Sequence, residues 1–91
     1  MARIVITAQV EDARKWEKGF RTHGELFRKQ TMTALHFTAT NENEVALFIK
    51  AKDVDKFFEI LNSPATADAM KFDGVKRETV KVFVLDRKFD L

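Results

Sequence analysis

Apolar and polar residues change their period several times along this chain, and each change marks an element. Over residues 3–10, Ile4, Ile6, Ala8 and Val10 alternate with Arg3, Val5, Thr7 and Gln9, the period of two of a strand with one fully buried face. Glu11 and Asp12 follow as an N-cap and a negative first turn. Beyond them Ala13, Trp16, Phe20, His23 and Phe27 recur at steps of three, four, three and four, the stripe of an amphipathic helix. Gly24 is the point at which that helix divides, if it divides.

Residues 31–40 are rich in Thr with Leu35 and Phe37 between, and residues 44–51 are nearly all apolar. The polar turn Thr40-Asn41-Glu42-Asn43 joins the two stretches into a hairpin. Asp53 then caps a second helix with Val54, Phe57, Phe58 and Leu61 on one face, and Ser63-Pro64 restarts a short helical turn that Gly74 closes. Val80, Val82 and Val84 alternate with Thr79, Lys81, Phe83 and Leu85 in a last strand, ahead of the charged tail Asp86-Arg87-Lys88-Phe89-Asp90-Leu91.

The order β-α-β-β-α-β predicts a ferredoxin-like α+β fold, a four-stranded antiparallel sheet with both helices on one face. The other face is left bare. If Ile4 and Ile6 face the helices, Val5 and Thr7 lie on the bare face with Phe48 or Leu47 and Phe83 or Val82. An apolar patch of that size usually marks a partner or ligand surface. Three coverings fit the topology: RNA bases, an edge-to-edge copy in the manner of amino-acid-sensing modules, or a second copy packed face to face to close a barrel. The first fits poorly, because an RNA-recognition sheet carries Lys/Arg-Gly-Phe/Tyr-Gly/Ala-Phe-Val on its third strand, and here that strand reads Glu44-Val45-Ala46-Leu47-Phe48-Ile49.

Length and composition agree with one domain over residues 1–91. A 45% apolar content with nine Phe suffices for a single core, of a size that assembly often supports. Sixteen basic against 14 acidic residues leave +2, with the signs interspersed, so neither nucleic acid nor a membrane surface is an expected partner. The absence of cysteine removes disulfides, thiolate nucleophiles and thiolate metal sites together. The apolar run near the N-terminus is too short for a signal-peptide core, so a cytoplasmic protein is expected.

Two short stretches carry a resemblance. Lys15-Trp16-Glu17-Lys18-Gly19-Phe20-Arg21-Thr22-His23 after the first strand, and Leu61-Asn62-Ser63-Pro64-Ala65-Thr66-Ala67-Asp68-Ala69-Met70 before the last, resemble the dimeric α+β barrel superfamily. The likeness is to its small stand-alone members, related in fold to antibiotic-biosynthesis monooxygenases and to polyketide-cyclase-like and stress-responsive barrels. It implies a homodimer with a cavity in each subunit between sheet and helices. It implies no fixed catalytic set, since the superfamily hosts oxygenases, isomerases, decarboxylases, haem proteins and proteins without known activity.

Candidate chemistry is sparse. His23 on an apolar stripe is either a core histidine bonded to a backbone or hydroxyl acceptor, or a neutral imidazole available as a general base or ligand contact. Trp16 and Phe20 are expected beside it, and His36 faces either the barrel lumen or solvent. His23 stands as the catalytic candidate, with Trp16, Phe20, His23 and His36 as candidate ligand contacts. Two histidines without His-x-x-x-His or clustered carboxylates make no metal set, and no motif calls for an organic cofactor. Three functions follow: binding of a small, largely apolar molecule between helices and sheet; cofactor-independent oxygenation or isomerisation of an aromatic polyketide-like substrate with His23 as base; or a structural, partner-binding dimer without a ligand.

Overall fold

Capping residues start most helices of the computed structural model, which describes residues 1–91. In chain order the elements are Ala2–Val10 (β1), Ala13–Phe20 (α1), Gly24–Lys29 (α2), Met32–Ala39 (β2), Glu44–Ala51 (β3), Val54–Leu61 (α3), Pro64–Phe72 (α4) and Val75–Val84 (β4). The Asp12 carboxylate accepts from the backbone N–H of Arg14 and Lys15, Asp53 from that of Lys56, and Ser63 from that of Thr66, with Pro64 in the first turn.

The strands form one antiparallel sheet in the order β2-β3-β1-β4. This is the ferredoxin-like α+β arrangement that the pattern predicts, with each crossover helix broken into two pieces. The first stripe does divide, α1 ending at Phe20 and α2 beginning at Gly24. Two boundaries differ from expectation. The segment after Ser63 is a nine-residue helix rather than a short turn. The last strand begins at Val75, five positions before Val80, although its opening Val-Lys-Arg-Glu-Thr has no alternation to announce it. Pairing with β1 holds that opening, through Val10 opposite Val75 and Gln9 opposite Lys76. A wide bulge follows, closed by the Thr79 hydroxyl, which accepts from the Gln9 N–H at 2.8 Å and donates to the Lys76 carbonyl at 2.6 Å.

The core lies between the sheet and the helices. Ile4, Ile6, Ala8 and Val10 from β1 and Val45, Leu47, Ile49 and Ala51 from β3 are buried there with Trp16, Phe20 and Phe57. The opposite face carries the alternate residues. Direct pairing sets His36, Phe48, Val5 and Phe83 in one row across all four strands, which decides for Phe48 and Phe83 over Leu47 and Val82. Phe83 is 50% exposed on that bare face. Beyond Val84 the chain has no regular structure except that the Leu85 N–H continues the ladder to the Arg3 carbonyl; Phe89 and Leu91 are exposed. No helix is long and apolar enough to cross a membrane.

Candidate binding and acid–base site

A cavity of about 80 Å³ lies between the helices and the buried face of the sheet. Its wall is apolar apart from four side chains, Gln30, Thr66, His23 and Asp73. The Gln30 amide donates to the Phe57 carbonyl at 3.3 Å and the Thr66 hydroxyl to the Ile60 carbonyl at 2.5 Å, so both serve to tie the helices together. His23 and Asp73 pair with each other instead, His23 Nε2 lying 2.9 Å from Asp73 Oδ2. Their side chains are 19% and 4% exposed.

The break after α1 puts His23 in place. The Thr22 and His23 N–H groups reach back three residues, to the Gly19 and Phe20 carbonyls at 2.9 and 3.2 Å, and the Thr22 hydroxyl donates to the Gly19 carbonyl as well at 2.6 Å. This tightening stops the helix, and His23 becomes the N-cap residue of α2 rather than a member of a continuous helical stripe. Its side chain makes no capping bond and turns to Asp73.

Asp73 is the C-cap of α4, its N–H on the Ala69 carbonyl, and Gly74 at φ 75° makes the left-handed turn into β4. Burial holds the Asp73 carboxyl above the usual carboxylate range, against the opposing pull of the His23 charge and hydrogen bond. The carbonyl end of α4 acts in the same direction as burial, because it disfavours negative charge. Asp73 Oδ1 is buried without a hydrogen-bond partner. In the neutral imidazole the Nε2–H donates to Asp73, which leaves Nδ1 as a bare acceptor. The pair therefore has the parts of an oriented general base: a ring held in one tautomer by a carboxylate, with its second nitrogen free.

Trp16 and Phe20 line the same cavity as His23 and stack at 4.7 Å between centroids. Phe27 and Phe37 extend the aromatic cluster, 4.9 and 5.1 Å from Phe20. His36 is not brought to this site. It is exposed on the bare face, its ring 6.3 Å from that of Phe48. Sequence reasoning missed Asp73, fifty positions from His23 in the chain. One signal was present: an acidic residue at a helix C-terminus just before a closing glycine sits against the helix dipole and wants a reason. No three His, Asp or Glu side chains converge anywhere in the chain, and His23 with Asp73 supplies two ligands at most.

No protein-family profile and no curated protein matches the sequence. Solved structures do match the fold. SnoaB, a cofactor-independent oxygenase from Streptomyces nogalater, superposes with a TM-score of 0.71 at 17% identity, covering 99% of this chain and 95% of its own. A second structure, an antibiotic biosynthesis monooxygenase, gives a TM-score of 0.70 at 10% identity over 97% of this chain and 99% of its own. At such identities the likeness is one of fold, and the chain has the ferredoxin-like α+β fold of the antibiotic biosynthesis monooxygenase structures over essentially its whole length.

Proposed function

We propose that this chain binds a small, largely apolar molecule in the cavity between helices and sheet, with the His23–Asp73 pair as the polar end of the site. The supporting observation is that pair itself, kept inside an apolar wall with Asp73 Oδ1 unpartnered. Leaving a buried acceptor unsatisfied costs about 1–3 kcal/mol, and a core selected for stability alone would fill the position with an apolar side chain. The size of the cavity narrows the ligand. At about 80 Å³ it is far below the roughly 300–1,000 Å³ of sites for drug-sized molecules, so the occupant is compact, a single ring or smaller, with a hydroxyl or other donor for His23 Nδ1.

A second reading, cofactor-independent oxygenation or isomerisation, is favoured by the orientation of the imidazole and by the oxygenase activity named for SnoaB. Here His23 Nδ1 takes the proton from an acidic O–H or C–H of the bound molecule; in oxygenation dioxygen adds at a CH2-derived carbon of the anion and the hydroperoxide loses water to leave a carbonyl, and in isomerisation the proton returns to a different carbon. A polycyclic substrate would need the cavity to open. In either reading a second copy covers the bare face to give a homodimer, with the Phe89 and Leu91 tail crossing onto the partner.

Titration with phenol and cyclopentanol, followed by the Trp16 indole and His23 ring signals in NMR, tests the binding reading. Saturable shifts at both residues, weakened by His23→Ala, are expected. No response from either ligand would leave the structural dimer without a ligand. Oxygen uptake over a panel of quinone-forming phenols, abolished by His23→Ala, separates enzyme from binder.

A further inference from the structure

Glycine is among the poorest helix formers, yet Gly19 sits buried one residue from the end of α1, where the backbone is helical and needs no special φ. A Cβ built there would collide with Asp73 Oδ1 and come within 2.9 Å of Asp73 Cγ. Its next neighbour, a Phe72 ring carbon at 3.6 Å, is an ordinary contact. The missing side chain thus makes room for one group, the Asp73 carboxyl. Asp73 Oδ1 finds no donor in that space, so hydrogen bonding is not what draws the oxygen there. What the placement achieves is on the other oxygen, which reaches His23 Nε2.

We infer that Gly19 is a positioning residue for His23, acting through Asp73: the bare backbone of α1 admits the carboxyl that fixes the imidazole tautomer and leaves Nδ1 as the unprotonated nitrogen. The inference rests on the reading of the His23–Asp73 pair as the functional end of the cavity, and assigns the glycine a part in it. Gly24, the other helical glycine, is the internal control, because a Cβ there meets only the far end of the Arg28 side chain at 3.8 Å.

The test reads the His23 ring and needs no ligand. In the parent protein, NMR of the neutral imidazole should show a protonated Nε2, its proton slow to exchange and shifted downfield by the carboxylate, and an unprotonated Nδ1. Gly19→Ala should lose that proton signal and mix the tautomers while the remaining spectrum stays folded; Gly24→Ala should keep it. Retention of the Nε2 proton in a folded Gly19→Ala variant overturns the inference. Should Gly19→Ala fail to fold, the Asp73→Ala background decides. There the space is vacated, so adding Gly19→Ala should give a folded protein with a higher melting temperature than Asp73→Ala alone. A variant that fails to fold in that background as well overturns the inference. Absence of ligand binding, by contrast, would remove the binding function and leave the ring result unchanged.

Discussion

Both faces of the sheet present large apolar side chains, and these meet different fates. On the helix side Ile4, Ile49 and Phe57 are fully buried; on the other, Val5, Phe48 and Phe83 form an apolar row that the chain does not cover. Each face has its own histidine. His23 on the covered side has a carboxylate partner and a place in a cavity, whereas His36 has only the Phe48 ring beside it. The difference teaches that one chain of this length covers one face of its sheet and leaves the other, with His36 on it, open to the second copy proposed above.

The sharpest break of this comparison is charge on the bare face. Phe83→Asp or Phe48→Asp should convert a species of about twice 10.5 kDa into one of 10.5 kDa in sedimentation at micromolar concentration. A parent protein that already sediments as a compact, stable monomer would mean that the row tolerates solvent and that the faces differ less than their burial suggests. On the covered face the substitution to make is Phe57→Ala, which should cost about 3–5 kcal/mol whatever the assembly state, since the side chain is fully buried in the core with the inward residues of β1 and β3. For a domain of this size that is a fall in melting temperature of roughly 12 °C or more.

The buried parity of β1 and three helix caps could be read from the sequence because each is local: an alternation, a side chain beside the N–H it caps, a proline in a first turn. The parity of β3 could not, because residues 44–51 are apolar on both faces and only their pairing with β1 puts Leu47 inside and Phe48 outside. The opening of β4 could not, since Lys76, Arg77 and Glu78 are held by a bulge against β1 and by Thr79 rather than by a pattern of their own. The spacing of the stripe is enough to group Trp16, Phe20 and His23, and Gly24 marks where the helix divides; that the turn at Arg21 and Thr22 aims the imidazole shows only in the structure. Asp73 has a mark of its own, a carboxyl at a helix end before a closing glycine, but that it pairs with His23 does not show, because nothing in a sequence announces a pair fifty residues apart.

Acidity probes the covered face next. Because burial raises the Asp73 carboxyl above its unfolded value, the native chain holds this proton more tightly than the unfolded chain does. Its contribution to stability is therefore greatest in acid, declines as pH rises from the ordinary carboxylate range to the raised value, and is level above that. Asp73→Asn removes the dependence. The melting temperature of the parent relative to Asp73→Asn should fall with rising pH across that window, and a difference that stayed flat or rose would show a carboxylate better satisfied in the fold than its unpartnered oxygen indicates.

The smallest effect is the most informative about the bare face. The His36 side chain makes no hydrogen bond within the chain and is exposed, so in the monomeric Phe83→Asp background His36→Ala should change stability by less than about 0.5 kcal/mol. His23→Ala in the same background should cost about 1–3 kcal/mol, because it strands the buried Asp73 carboxyl. Repeating both substitutions in the parent protein completes the comparison. The His23 cost should be unchanged, since its partner lies in its own chain. The His36 cost should grow if a second copy covers the row that His36 shares with Phe48, Val5 and Phe83. Denaturant unfolding of the four variants gives these numbers. If the His36 cost is equally small in both backgrounds, then His36 stands outside whatever covers the sheet, and the contact is confined to the strands nearer β4.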